Sequence, residues 1–327
     1  MSARSLRVGT RGSALALWQA RWVEQALRER IPELDIRLEV IKTTGDRILD
    51  APLSKIGDKG LFTREIEHAL LRNDIDCAVH SLKDLPTELP AGLAIGAITA
   101  REDVRDVFIP HPRNPVRALL DQPSGATVAT GSLRRRTQLL HARPDFRVVD
   151  LRGNLQTRLR KLEESSWAGM LLAYAGVLRL GMQDRIGEIL PTALMLPAVG
   201  QGALGIELRS GDQPVLDLVG VLHHEPTAQA ATAERSFLGR MEGGCQIPIG
   251  THARVLAEEG RETVLRLEAL VGSLDGSTVI RGTRQGRPGQ AAEIGRELAE
   301  ELIEQGAGDL LRAIRQQSGP AGDASRR

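Results

Sequence analysis

The apolar positions of the first hundred residues change period several times. A short apolar strand over 6–10 gives way to helical spacing over 14–30, with Leu17, Ala20, Leu27 and Ile31 near one face and Trp22 flanking it. Residues 36–41 read as a strand, and 61–72 as a helix with Phe62, Ile66, Ala69 and Leu70 on one side. Ile75, Cys77 and Val79 alternate like a strand, and 93–98 is another apolar run. Strands separated by helices predict a parallel or mixed sheet with helices on its faces. The pattern then recurs, with strands over 127–130, 146–151 and 169–175 and helices over 133–142 and 155–164. Residues 196–207 hold too many glycines for a helix and read as a connection plus a strand crossing between units. The last third differs. A helix over 228–240 precedes an antiparallel meander over 252–256, 264–271 and 277–284, with a turn at Leu274-Asp275-Gly276, and an amphipathic helix follows over 291–305.

Length and composition narrow the class. A chain of 327 residues exceeds one core, so two or three domains are expected. The net charge is +1, so any positive patch is local, and aromatic residues make up only 2%, which argues against a stacking surface for nucleic acid. Met1-Ser2-Ala3-Arg4 and the residues after it lack the apolar core of a signal peptide, no apolar run is long enough for a bilayer, and two cysteines form no disulfide framework or metal cluster. A cytoplasmic protein with no metal site and no membrane or nucleic-acid partner is expected. Residues 315–327 read as a disordered tail.

Two stretches share one design. In Gly9-Thr10-Arg11-Gly12-Ser13 and in Thr130-Gly131-Ser132-Leu133-Arg134-Arg135, a strand ends in Thr, Gly and Ser, and a helix opens at the serine. Free N–H groups and the positive end of a helix suit an anion, and arginines bind carboxylates in bidentate fashion. Plain N-caps with solvated arginines are the competing reading. A third basic stretch, Arg152-Gly153-Asn154, places Arg152 before a helix and Arg158 in its early turns. The run His80-Ser81-Leu82-Lys83-Asp84-Leu85-Pro86 ends a strand in a polar cluster, where α/β folds put chemistry, so Asp84 is a candidate held carboxylate or a turn cap. Lys55 and Lys59 lie in a glycine-containing loop without P-loop spacing. Cys245, after Gly243-Gly244 and before Pro248, sits on a shaped loop and is open to three roles: nucleophile, metal ligand or attachment point.

Together these stretches resemble the porphobilinogen deaminase (hydroxymethylbilane synthase) family over about residues 6–314. The resemblance rests on 9–16, Lys59-Gly60-Leu61-Phe62, 78–84, 131–135, Leu151-Arg152-Gly153-Asn154, 196–203 and 242–250, all in the family's order. It implies three domains: two α/β domains like the halves of type II periplasmic binding proteins, and a small C-terminal α+β domain with an antiparallel sheet. The expected boundaries are 1–100 with 200–220, 101–199, and 221–314. It also implies a monomeric transferase that joins four porphobilinogen units head to tail on a dipyrromethane primer, releasing ammonia at each addition and finally hydroxymethylbilane. The primer would be held by a thioether on Cys245. Asp84 matches the catalytic aspartate. Arg11, Ser13, Lys55, Lys59, Lys83, Thr130, Ser132, Arg134, Arg135, Arg152, Arg158 and Arg179 match binding positions for a substrate bearing two carboxylates per ring. Thr44 and Leu178 depart from frequent basic residues. Two rivals remain open from the residues alone, a dicarboxylate-binding protein and a cysteine hydrolase using Cys245.

Overall fold

The computed structural model describes residues 5–44, 63–241, 247–257 and 262–318. The first run of elements is β1 (Ser5–Thr10), α1 (Ala14–Arg30), β2 (Asp35–Val40), α2 (Arg64–Leu71), β3 (Cys77–Ser81) and β4 (Leu93–Ile98). Ser13 caps α1, its Oγ accepting from the Ala16 amide at 3.3 Å. The buried face of α1 is Gln19, Ala20, Val23, Ala26 and Leu27. This corrects the stripe expected around Leu17: Trp22 is exposed, and Gln19 turns inward because its amide reaches Ser81 Oγ at 2.8 Å.

The second run is β5 (Asp106–Pro110), β6 (Thr127–Ala129), α3 (Leu133–Ala142), β7 (Arg147–Val149), α4 (Leu155–Glu163), β8 (Gly169–Ala173), α5 (Tyr174–Arg179) and β9 (Glu188–Ile189), followed by β10 (Leu204–Arg209) and α6 (Gln213–Gly220). Several of these differ from the sequence pattern. The fully buried β5 was hidden by the charged residues before it and by Pro110. The strand expected over 169–175 ends at Ala173, where its ladder with β5 stops at Asp106, and Tyr174 opens α5 instead. The short helix α6 and the two-residue strand β9 were not anticipated.

The sheets explain the doubled pattern. One has the order β2-β1-β3-β10-β4 and the other β7-β6-β8-β5-β9. In each, the first three strands are parallel and the fourth runs antiparallel to both neighbours. The fourth strands are exchanged: β5 follows β4 in the chain but joins the second sheet, and β10 follows β9 but joins the first. The chain therefore crosses between the α/β units twice. The two crossings lie side by side, with the Thr99 amide donating to Leu204 O at 3.1 Å and Arg101 Nε to Gln201 O at 2.7 Å. Gly202, at φ +94°, lets them approach: a Cβ there would lie 2.5 Å from Glu102 O.

The rest of the chain forms α7 (Glu225–Arg240), the antiparallel sheet β11 (Ile249–Leu256), β12 (Val264–Gly272) and β13 (Val279–Gly286), α8 (Ala291–Glu304) and α9 (Ala307–Ser318). Phe237, Leu265, Leu267, Leu298 and Leu302 form its core. Helix α9 runs through Arg315–Ser318, which composition had assigned to a tail; Leu311 and Ile314 bury its apolar face. The turn after β12 seats this unit on α3, Thr137 Oγ1 donating to Ser273 O at 2.7 Å. Gly276 there, at φ +74°, would bring a Cβ within 2.4 Å of the His141 amide nitrogen.

One buried carboxylate joins all three units. Glu234, on α7, is fully buried. It accepts from Arg101 at 2.7 and 3.1 Å, from the Gly200 amide at 2.7 Å and from the Ala253 amide at 2.8 Å. Arg101 and Gly200 belong to the two crossings, and Ala253 to β11.

Candidate active site

Strand β3 ends at Ser81, and a single 3-10 turn, Leu82–Asp84, follows it. Leu82 is buried and its amide donates to Ala203 O at 3.0 Å, while the Leu85 amide closes the turn on Leu82 O at 3.2 Å. Buried leucines at both ends hold the turn, and Asp84 is left exposed. Asp84 accepts no side-chain hydrogen bond from a described residue.

Cations gather around it. Burial lowers the Lys83 ammonium to a pKa of about 8, with Arg135 and Arg134 adding to the effect and Asp84 and Asp106 opposing it. Burial lowers the Arg158 guanidinium to about 10, Arg135 and Arg152 pushing the same way against Asp84 and Asp150. Lys83 and Arg158 thus lie within reach of further positive charge, and such a group gains by taking up an anion.

The predicted residues divide by how they are held. Ser13 and Ser132 are N-caps, Ser132 Oγ accepting from the Arg135 amide at 3.5 Å. Thr130 is buried, and its Oγ1 accepts from the Ser132 amide at 3.3 Å. Arg152 pairs with Asp150 at 2.9 Å, and Arg158 Nε donates to Gly153 O at 2.8 Å. Arg11 is half-buried beyond β1. Arg179 stands farther round, donating to Gly202 O at 2.6 Å with its guanidinium 5.7 Å from the Trp18 ring, so it ties the second unit to α1. Burial lowers it too. Lys55, Lys59 and Cys245 lie outside the described residues. Thr44 donates to Glu65 through both its amide, at 3.0 Å, and its hydroxyl, at 2.5 Å.

Arg134 and Arg135, candidate carboxylate-binding arginines with solvation as the competing reading, are held by a carboxylate of the chain itself. Both are buried, and both bind Asp106, at 2.7 and 2.8 Å. Burial works against the Asp106 charge, but the two guanidinium groups outweigh it and hold the carboxyl below its usual range. Asp106 also accepts from Gln201 Nε2 at 2.9 Å, and Gln201 Oε1 lies 3.5 Å from Lys83 Nζ. A polar chain thus runs from the Asp84 turn through Gln201 and Asp106 to the arginine helix. Sequence reading passed over both links. An aspartate opening an apolar run, and a glutamine between Gly200 and Gly202, were the available signals.

Other titratable groups are structural by their contacts. His80 is buried with Glu207 at 3.0 Å, burial raises the Cys77 thiol, and His223 Nδ1 accepts from the Ile98 amide at 3.3 Å. Among the described residues no group of three or more His, Cys, Asp or Glu could hold a metal, and no helix is long and apolar enough to cross a membrane.

A pH dependence follows from Lys83. Near pH 8 it loses its charge, so in the substrate-binding role that the resemblance implies for Lys83, kcat/KM for an anionic substrate is expected to fall above that pH. Lys83→Arg should keep the profile level beyond pH 9; a level wild-type profile to that pH contradicts the assignment. For stability, the folded state releases this proton at about pH 8 and the unfolded chain at about 10.5. The cost of burying the charge is therefore present in full below pH 8 and is relieved as pH rises across that window.

Two family models match the chain. "Porphobilinogen deaminase, dipyromethane cofactor binding domain" covers residues 6–217, and "Porphobilinogen deaminase, C-terminal domain" covers 228–304. Among curated relatives, the porphobilinogen deaminase of Pelotomaculum thermopropionicum is 52% identical over 96% of this chain and 98% of its own. That of Chlorobium phaeovibrioides is 53% identical over 95% and 98%. Of solved structures, the periplasmic aliphatic sulphonate binding protein SsuA of Escherichia coli overlaps 74% of this chain and 71% of its own, at 17% identity and a TM-score of 0.39, too low to bear on the argument. With matches spanning both the α/β units and the C-terminal unit, the chain belongs to the porphobilinogen deaminase family.

Proposed function

We propose that the chain is a transferase that deaminates porphobilinogen and joins four units head to tail on a dipyrromethane primer, then releases hydroxymethylbilane. The observation that carries this is one exposed carboxylate, Asp84, in the field of Lys83 and Arg158, which in turn lie in the field of Arg134, Arg135 and Arg152. Each added ring brings an acetate and a propionate, so the growing chain gains two negative charges per step. Cations made less basic by burial and by neighbouring positive charge fit a polycarboxylate primer and product.

When bound, a dipyrromethane on a Cys245 thioether supplies the free pyrrole position at which the chain grows. Arg11, Arg152, Arg158 and Arg179, with Lys83, Lys55 and Lys59, bind substrate and primer carboxylates; Ser13, Thr130 and Ser132 orient them through hydrogen bonds and helix starts. Arg134 and Arg135, buried and braced by Asp106, supply fixed positive charge from behind the site. Asp84 accepts pyrrole N–H hydrogen bonds and offsets the positive charge that develops as ammonia leaves. It also takes up a proton when the new bond rearomatises. The tether keeps successive rings near the same carboxylate.

The units that do this are residues 1–100 with 200–220, 101–199 and 221–314, a division supported by the exchanged strands β5 and β10. Monomeric action in the cytoplasm completes the reading. The small number of cysteines, two, suits a reducing compartment.

The deciding experiment is the intact mass of protein expressed with porphobilinogen available. An excess equal to two linked pyrrole units is expected, and Cys245→Ser should lack it. An unmodified wild-type mass would falsify the assignment. A pyrrole adduct that survives Cys245→Ser would move the tether elsewhere.

A further inference from the structure

Helix α7 presents two faces to two different parts of the molecule. Ala230, Ala233, Phe237 and Met241 enter the core of the C-terminal unit. Ala228 and Ala231 pack instead on Leu82 and Leu85, the leucines that bracket the Asp84 turn. Arg235 continues this second face at helical spacing. Its guanidinium donates to Leu85 O at 3.2 Å, Pro86 O at 2.5 Å and Thr87 O at 3.2 Å. These three carbonyls follow Asp84 directly. Leu85 is extended, at φ −78° and ψ 134°, ahead of a proline that has no N–H, so the segment leaves the turn without helix or strand to hold it. Five residues beyond the last residue of α7 comes Cys245.

We propose that Arg235 is a positioning residue for the reaction. It fixes the exit of the Asp84 turn to the helix that leads to the tether cysteine, and so sets where the carboxylate stands relative to the tethered chain. The inference rests on the proposed role of Asp84. A planar fork with several donors can bridge three successive carbonyls, whereas an ammonium offers only a point charge. Arg235 is half-buried at the edge of a cavity of about 650 Å³ that Gly239, Arg240 and Arg296 also line. Water can therefore reach the carbonyls when the side chain is removed, and a small guanidinium ion can enter in its place.

The test is steady-state kinetics of the holoenzyme carrying Arg235→Ala and Arg235→Lys, with melting temperature and primer content measured alongside. Arg235→Ala is expected to lower kcat roughly 10- to 100-fold, the range for a carboxylate displaced by about an ångström, with KM changed by less than about threefold. Arg235→Lys should recover part of the rate, and added guanidinium at low millimolar concentration should recover part of it in Arg235→Ala, where sodium chloride does not. Because Arg235 acts through Asp84, the double variant with Asp84→Asn should be no slower than Asp84→Asn alone. A kcat within twofold of wild type in Arg235→Ala overturns the proposal. So does a loss of rate that merely follows lost primer or lost folded protein, unrelieved by lysine or guanidinium. Failure of the underlying reading looks different: Asp84→Asn itself would keep its turnover.

Discussion

Asp84→Asn is expected to lower kcat by roughly two to four orders of magnitude, the range for losing a charged group that both stabilises developing charge and moves a proton. Its melting temperature should stay within about 1 °C of wild type. The two expectations come from the same geometry. Asp84 is exposed at the end of a turn held by Leu82 and Leu85, and no described residue donates a side-chain hydrogen bond to it, so the fold does not depend on it. Asparagine keeps the shape and removes only the charge. The measurement is bilane formation with holoenzyme of confirmed primer content. Turnover within tenfold of wild type would take Asp84 out of the chemistry.

Glu234→Ala should have the largest effect on stability, about 3–5 kcal/mol, the usual cost of leaving one partner of a buried ion pair alone. Arg101 would keep a buried charge, and the amides of Gly200 and Ala253 would lose their acceptor. Thermal unfolding should fall by several degrees. Replacing both members, Arg101→Met with Glu234→Met, is expected to be less damaging than Glu234→Ala, since no lone charge is left behind. Strictly additive effects in the cycle of Arg101→Met, Glu234→Met and their double variant would show that the pair is not coupled. Because the same carboxylate reaches both crossings and β11, its loss should also loosen the α/β units relative to each other, visible as faster amide exchange at Gly200.

The two predictions rest on residues that differ in how legible they were. Asp84 stood out in sequence because a polar cluster ended an alternating strand. Glu234 did not, because one acid among the polar residues of a long helix looks like any solvated charge. The helix starts at Ser13 and Ser132 were readable, since a Ser after a strand and before an apolar-periodic run is a local signal. Their neighbours Arg134 and Arg135 were readable as arginines suited to carboxylates, but not as a buried pair. Their burial follows from Asp106, 28 residues before Arg134, on a strand that Pro110 and flanking charges concealed. Gln201 was missed for the same reason: its partners Lys83 and Asp106 are distant in the chain.

Residue order alone therefore determined what is local. Periodicity and caps placed most of the helices and strands, and the succession of motifs carried the family resemblance with its aspartate and its cysteine. Tertiary structure decided everything that depends on which segments meet. The exchange of β5 and β10 brings the two crossings together, sets Asp106 between two arginines, and lays α7 against the Asp84 turn. A side chain's burial and charge state are set by neighbours contributed from far along the chain, and hydrophobic period records only that a face is covered, not by what.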